Sequence, residues 1–205
     1  MINYYSLSES RTDNNILGNG AFGTVYRFNQ DTCFKIMDTT VKNQTVLKLM
    51  RTLPLEGIVN IKDFIDKSGK IIGYTMDLIN KEDINLLTVD INYLIQSYLK
   101  LKKDIILLSN EHIRAIDLYP RNIIISNNGI RLVDLDLYKF EYSNDLLMNN
   151  SWSLKYLFEL ILGSYIPDDY YEYFESVMNT NEPLDDSFIT KMEKSKNLRS
   201  FLGMK

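Results

Sequence analysis

Cysteine and histidine are nearly missing from this chain of 205 residues, which has one of each. A lone Cys33 excludes an internal disulfide and fits a reducing, cytoplasmic setting. No apolar run is long enough to span a bilayer. The opening MINYYSLSES has neither the basic start nor the apolar core of a secretory leader, so no leader is expected. Cations are not in excess, with 23 Lys and Arg against 27 Asp and Glu, and the net charge of −4 argues against a nucleic-acid partner. Repeats and low-complexity segments are absent. From Ser164 to Thr190 there is no Lys or Arg, while Asp168, Asp169, Glu172, Glu175, Glu182, Asp185 and Asp186 alternate with aromatic residues. A solvated acidic helical face with its aromatics packed inward is expected there, in preference to a docking patch for a basic substrate. The tail is basic, through Lys191, Lys194, Lys196, Arg199 and Lys205. With 45% hydrophobic and 12% aromatic residues, the chain has enough apolar surface for one substantial domain core.

Three segments carry chemistry. In AIDLYPRNIIISNNGIRLVDLD, Asp117 and Asn122 lie on a loop. Two apolar runs follow, joined by a turn at Asn127, Asn128 and Gly129, and Asp134 closes the segment. Two acids and an amide on one hairpin suit chemistry on a metal-bound phosphate: one carboxylate orients a hydroxyl, and the other oxygens hold Mg²⁺. Upstream, LGNGAFGTVYRF spaces Gly18, Gly20, Gly23 and Val25 as G-x-G-x-x-G-x-V. A β-forming run follows the third glycine, so the glycines are expected at a hairpin tip. There φ > 0 is accessible and N–H groups can approach phosphate oxygens. An ordinary glycine-rich turn is the plain alternative. Third, TCFKIM places the single charge of Lys35 in an apolar strand, where a lysine either snorkels to water or is held by an anion.

In this order, GNGAFGTV, TCFKI, IDLYPRN and VDLD resemble the glycine-rich loop, lysine strand, catalytic loop and metal motif of the protein-kinase-like superfamily, over about residues 16–163. The resemblance implies an α+β, bilobal fold in one domain over residues 1–205. An antiparallel five-stranded N-lobe would span about 1–79, and a short, mainly helical C-lobe about 80–205. It implies ATP and Mg²⁺ as cofactors. Asp117 would accept the proton of the attacking hydroxyl, Asn122 and Asp134 would hold Mg²⁺, and Lys35 would pair with the α- and β-phosphates. Val25 and Cys33 would roof an apolar adenine slot, Ile124 would floor it, and Met76 would close its back. Asp77, Leu78 and Ile79 would form the hinge, contacting adenine through the main chain. Cys33 and Met76 serve equally as plain core residues.

Several departures from the family pattern bear on function. Ala115-Ile116 replaces the usual His-Arg before the catalytic aspartate, so control through activation-loop phosphorylation is not expected. Tyr119 stands where protein-phosphorylating members carry lysine. Asp136 ends the metal motif in place of glycine, either as a second metal-facing carboxylate or as a turn residue. The helix expected over 39–55, with Val46, Leu49, Met50 and Leu53 on one face, contains no acid to pair with Lys35, and Gln44 is the nearest polar substitute. Residues 135–205 leave room only for a minimal C-lobe, resembling compact atypical kinases of bacteria and archaea.

Elsewhere, 58–66 and 71–79 are expected as strands around a turn at 67–70. Helices are expected over 88–110, over 151–163 with Ser151 as its cap, and over 168–179 and 185–202. His112 is expected to close the first of these. The expected function is a small atypical serine/threonine protein kinase acting on a protein hydroxyl. The alternatives are a small-molecule kinase and a pseudokinase that scaffolds on a bound nucleotide.

Overall fold

Six strands form one mixed sheet in the computed structural model, which describes residues 1–179 and 182–204 of this α+β chain. Lys205, the last cation of the basic tail, lies outside the described residues. The chain divides into two units: Met1–Leu55 with Val59–Asn80 and Asp134–Tyr138, and the remainder.

The first unit holds the sheet: β1 (Ile2–Asn3), β2 (Ile16–Gly20), β3 (Gly23–Arg27), β4 (Thr32–Met37), β5 (Ile61–Lys67) and β6 (Lys70–Asp77), in the order β1-β5-β6-β4-β3-β2. Five of them pair antiparallel, as expected, but β1 adds a sixth strand parallel to β5. Two residues carry no readable period, so that strand had no sequence signal. β4 alternates its faces. Phe34 points to a buried cluster with Leu7 and Ile65, flanked by Ile2, Tyr26 and Ile36. Cys33 and Lys35 point the other way. Register puts Val25 opposite Lys35, Lys35 opposite Tyr74 and Cys33 opposite Met76, so these five share one face. The β5–β6 turn carries left-handed Ser68 (φ 54°) and Gly69 (φ 80°), the two-residue geometry that matches strand twist.

Between β4 and β5 lies α1 (Gln44–Met50), much shorter than the helix expected over 39–55. Val46, Leu47 and Met50 are its buried residues, and Leu53 falls beyond its end. Asn43, at its N-terminus, sends its side-chain N–H groups to the carbonyls of Leu135 and Tyr138, 2.9 and 3.0 Å away.

The second unit is built on α2 (Ile91–Asn110), capped by the Asp90 side chain, which accepts from Asn92 N–H at 2.8 Å. Its buried stripe runs through Leu94, Tyr98, Leu101, Ile105 and Leu108, and Tyr98 meets Phe158 and Phe188 edge-on. His112, left-handed at φ 58°, closes the helix as expected and donates its N–H to Ser109. The short pair β7 (Ile113–Arg114) and β10 (Lys139–Phe140) flanks the hairpin of β8 (Ile123–Ser126) and β9 (Gly129–Leu132).

The next helix, α3 (Leu146–Gly163), begins earlier than expected, because buried Leu146 extends its apolar face. Ser151 is therefore an interior residue, 4% exposed, and not a cap; its hydroxyl has no partner among the described residues. In α4 (Asp168–Met178) the acids are exposed and Phe174, Val177 and Met178 are buried, although Tyr173 faces solvent. The helix expected over 185–202 is two short ones, α5 (Ser187–Met192) and α6 (Leu198–Phe201). Among the described residues, no helix is long and apolar enough to cross a membrane.

Candidate functional site

The chemistry-bearing residues fall into two clusters, one in each unit. In the first, Lys35 is 4% exposed, and its ammonium meets Asp134 Oδ1 at 3.0 Å and Asp136 Oδ2 in closer contact. The hydroxyl of Tyr74, opposite Lys35 on β6, donates to Asp136 Oδ1 at 3.0 Å. Burial works against the charge on Lys35, but the Asp136 and Asp134 carboxylates outweigh it and raise the lysine pKa. Burial, followed by the Asp136 charge, holds the Tyr74 phenol well above its ordinary range. Burial also raises the pKa of Asp136 despite its lysine partner.

This cluster bears on two expectations. Asp136 lies in a turn, one of its two expected readings, and its side chain is 4% exposed, with one oxygen on Lys35 and the other on Tyr74. It is the anion that the helix after Lys35 lacks. Gln44 does not take that part; it is half-buried and lines a surface hollow with Lys48 and Lys70. Sequence reasoning missed Tyr74 and Asn43. The signal for Tyr74 was its spacing of two from Met76, which puts both on the lysine's face.

Asp134 differs from Asp136. Its side chain is 32% exposed, and its Oδ2 makes no hydrogen bond among the described residues. On the sheet face that carries Lys35, Val25 is half-buried, while Cys33 and Met76 are buried at 5% and 7%. Burial and then Asp77 push the Cys33 thiol up to about 11, so it is an apolar wall and not a nucleophile.

In the segment expected as the hinge, two of the three N–H groups are committed within the protein. The Asp77 carboxylate is turned to Asn60 and Lys62, and the N–H groups of Asp77 and Leu78 donate to the carbonyls of Asn60 and Asp31. The Ile79 N–H makes no hydrogen bond among the described residues.

The glycines divide. A Cβ at Gly23 would run into the carbonyl of Ile36, so only glycine permits that strand to approach β4. Gly18 and Gly20 are exposed and not left-handed, contrary to expectation; a Cβ would meet nothing within 4 Å at Gly18 and only a carbonyl at 3.8 Å at Gly20.

In the second unit, Asp117 is held in the left-handed region at φ 63°. Asn122, 7% exposed, donates its amide N–H groups to the Asp117 carbonyl at 2.8 Å and to Oδ2 at 2.9 Å. Arg121 covers Oδ1. With its nitrogen committed, Asn122 keeps its Oδ1 free of hydrogen bonds among the described residues. The Asn122 carbonyl accepts from Val133 N–H at 2.9 Å, which fixes the loop to the strand end preceding Asp134. Ile124 is half-buried on β8.

No group of three or more His, Cys, Asp and Glu able to hold a metal occurs among the described residues. Mg²⁺ needs no such group, since it is usually held by one or two protein oxygens and completed by water and substrate phosphate. Asp134 Oδ2 in the first unit, and separately Asn122 Oδ1 in the second, are free of hydrogen bonds among the described residues.

Removing one member of the buried pair tests its energetics. Lys35→Met is expected to destabilise the protein by about 3 kcal/mol, because it strands Asp136 in a buried site, and Lys35→Met/Asp136→Asn should recover most of the loss. In Lys35→Met, Asp136 keeps a folded-state pKa above its unfolded value, so its protonated form is favoured by folding. Stability of that variant, measured by urea unfolding, should therefore rise as the pH is lowered toward the ordinary carboxylate range.

No protein-family model matches the chain, and no curated protein matches it either.

Proposed function

We propose that this chain is an ATP- and Mg²⁺-dependent phosphotransferase of protein-kinase-like architecture, acting in the cytoplasm on the serine or threonine hydroxyl of a protein. The reading is carried by one observation: Lys35 and Asp134, singled out by two separate motifs 99 residues apart, lie 3.0 Å from each other. It is supported by the second motif's internal order, in which Asn122 grips Asp117 by both its carbonyl and its carboxylate.

Bound Mg²⁺·ATP supplies the phosphoryl group and neutralises the charge that develops on it. Lys35, kept protonated by its two carboxylates, offers a fixed cation to the α- and β-phosphates. Asp134 and Asn122 offer oxygens to the metal. Val25, Cys33 and Met76 provide the apolar lining for a flat base, and Asp77 and Ile79 provide main-chain groups for its edge. Asp117 takes the proton from the acceptor hydroxyl.

A pseudokinase reading rested on the missing helix acid, and Asp136 removes that motive by supplying the anion from another segment. A small-molecule kinase uses the same residues; exposed Tyr119, with no cation in its place, favours that second reading. The purified chain, incubated with Mg²⁺ and γ-labelled ATP, alone and with cell extract, should pass label to a protein hydroxyl. Label on a metabolite would favour the second reading. Absence of transfer together with absence of Mg²⁺·ATP binding in calorimetry would refute both.

A further inference from the structure

We infer that Arg121 selects the phosphoryl acceptor, and that the acceptor carries an anionic group beside its hydroxyl. This rests on the phosphotransferase reading of Asp117 and deepens it. A general base needs a free lone pair within hydrogen-bond reach of the proton it removes. Both oxygens of Asp117 are already engaged, Oδ2 by Asn122 at 2.9 Å and Oδ1 by the Arg121 guanidinium.

The two partners differ in how firmly they are held. Asn122 is buried, and it is tied to the Asp117 and Tyr119 carbonyls and to Val133. Arg121 has a side chain 65% exposed, and among the described residues its guanidinium has no ion-pair or hydrogen-bond partner besides Asp117, lying 4.8 Å from the centre of the Tyr119 ring. The arginine is therefore the partner that yields, and Oδ1 is the oxygen that receives the proton. Exposed ion pairs of this kind exchange easily.

An acceptor with a carboxylate or phosphate next to its hydroxyl gives the guanidinium a new bidentate partner as Oδ1 is released. A cationic acceptor offers no such exchange and meets a like charge at the mouth of the base. Tyr119, itself 44% exposed, supports the guanidinium in either position.

The test compares wild type, Arg121→Ala and Arg121→Glu on two acceptor pairs, with Mg²⁺·ATP affinity measured in parallel by calorimetry. The first pair is serine peptides flanked by Asp and Glu or by Lys and Arg; the second is glycerol 3-phosphate and glycerol. Wild type should prefer the anionic member of at least one pair by about tenfold in kcat/KM. The pair that responds tells whether the anion is a peptide carboxylate or a phosphate. Arg121→Ala should erase that preference and Arg121→Glu should reverse it for the peptides, with nucleotide affinity and thermal unfolding unchanged. Equal use of both members by wild type, or a preference that survives Arg121→Glu, would overturn the inference and leave the phosphotransferase reading standing. Failure of the wild type to bind Mg²⁺·ATP would remove both.

Discussion

Asp134→Ala is expected to lower Mg²⁺·ATP-dependent phosphotransfer by at least about 10³-fold, through loss of a charge-stabilising metal site, while the protein stays folded. The contrast with Asp136→Ala makes the prediction sharp, because the two carboxylates sit two residues apart and touch the same lysine. Asp134 is partly exposed and has an oxygen free of protein hydrogen bonds, so its truncation should cost less than about 1 kcal/mol in stability. Asp136 is buried with both oxygens engaged, and its truncation orphans the Tyr74 hydroxyl and leaves Lys35 with one carboxylate. Asp136→Ala should therefore destabilise by about 2–3 kcal/mol, and it should weaken nucleotide binding more than turnover at saturating nucleotide. Labelled-ATP transfer and urea unfolding on both variants separate the roles. Phosphotransfer retained in Asp134→Ala would refute the metal assignment, and unchanged stability in Asp136→Ala would refute the buried counter-ion.

The sequence displayed these residues unevenly, for physical reasons. Strand alternation placed Lys35 against Phe34 on opposite faces, and the register of β4 with β6 then made Cys33 and Met76 neighbours, as their apolar character suggested. Long elements with a strong period were legible, so α2 and the β5–β6 hairpin lie close to where the pattern puts them. The counter-ion of Lys35 was not. A lysine's partner comes from wherever the chain returns in space, and here it returns 101 residues later in a turn whose local sequence reports no such contact. The glycine motif misled in a related way. G-x-G-x-x-G fixes residue type but not backbone conformation, and Gly18 and Gly20 are extended, with only Gly23 forced by a close approach. Ser151 misled because a serine before an apolar helical run resembles a cap unless the run upstream is also apolar, as Leu146 shows it to be.

Asp104 lies on the buried stripe of α2 among Leu101, Ile105 and Leu108 and is 0% exposed, a charge where the helical period calls for an apolar side chain. Its carboxylate accepts the N–H groups of three successive residues: Glu56 at 3.0 Å, Gly57 at 2.7 Å and Ile58 at 2.8 Å. That segment is also tied to β9, since the Gly57 carbonyl accepts from Leu132 N–H at 2.9 Å and the Ile58 carbonyl from the Arg131 guanidinium at 3.0 Å. Gly57 is needed because a Cβ there would lie 2.8 Å from the Leu101 side chain. One side chain thus joins α2 to the hairpin that follows Asn122. Asp104→Ala would leave three N–H groups without their protein acceptor, at a cost of about 3–5 kcal/mol. Set against a typical total of about 5–15 kcal/mol, that is enough to lower the unfolding midpoint sharply. Asp104→Asn keeps one acceptor oxygen but turns an amide toward the donors, and about half the loss should remain. Urea unfolding measures both, and hydrogen exchange at residues 56–58 should accelerate in each variant. A loss below about 1 kcal/mol in Asp104→Ala would mean that the three N–H groups find other partners, and that the segment is held by its pairing with β9 alone.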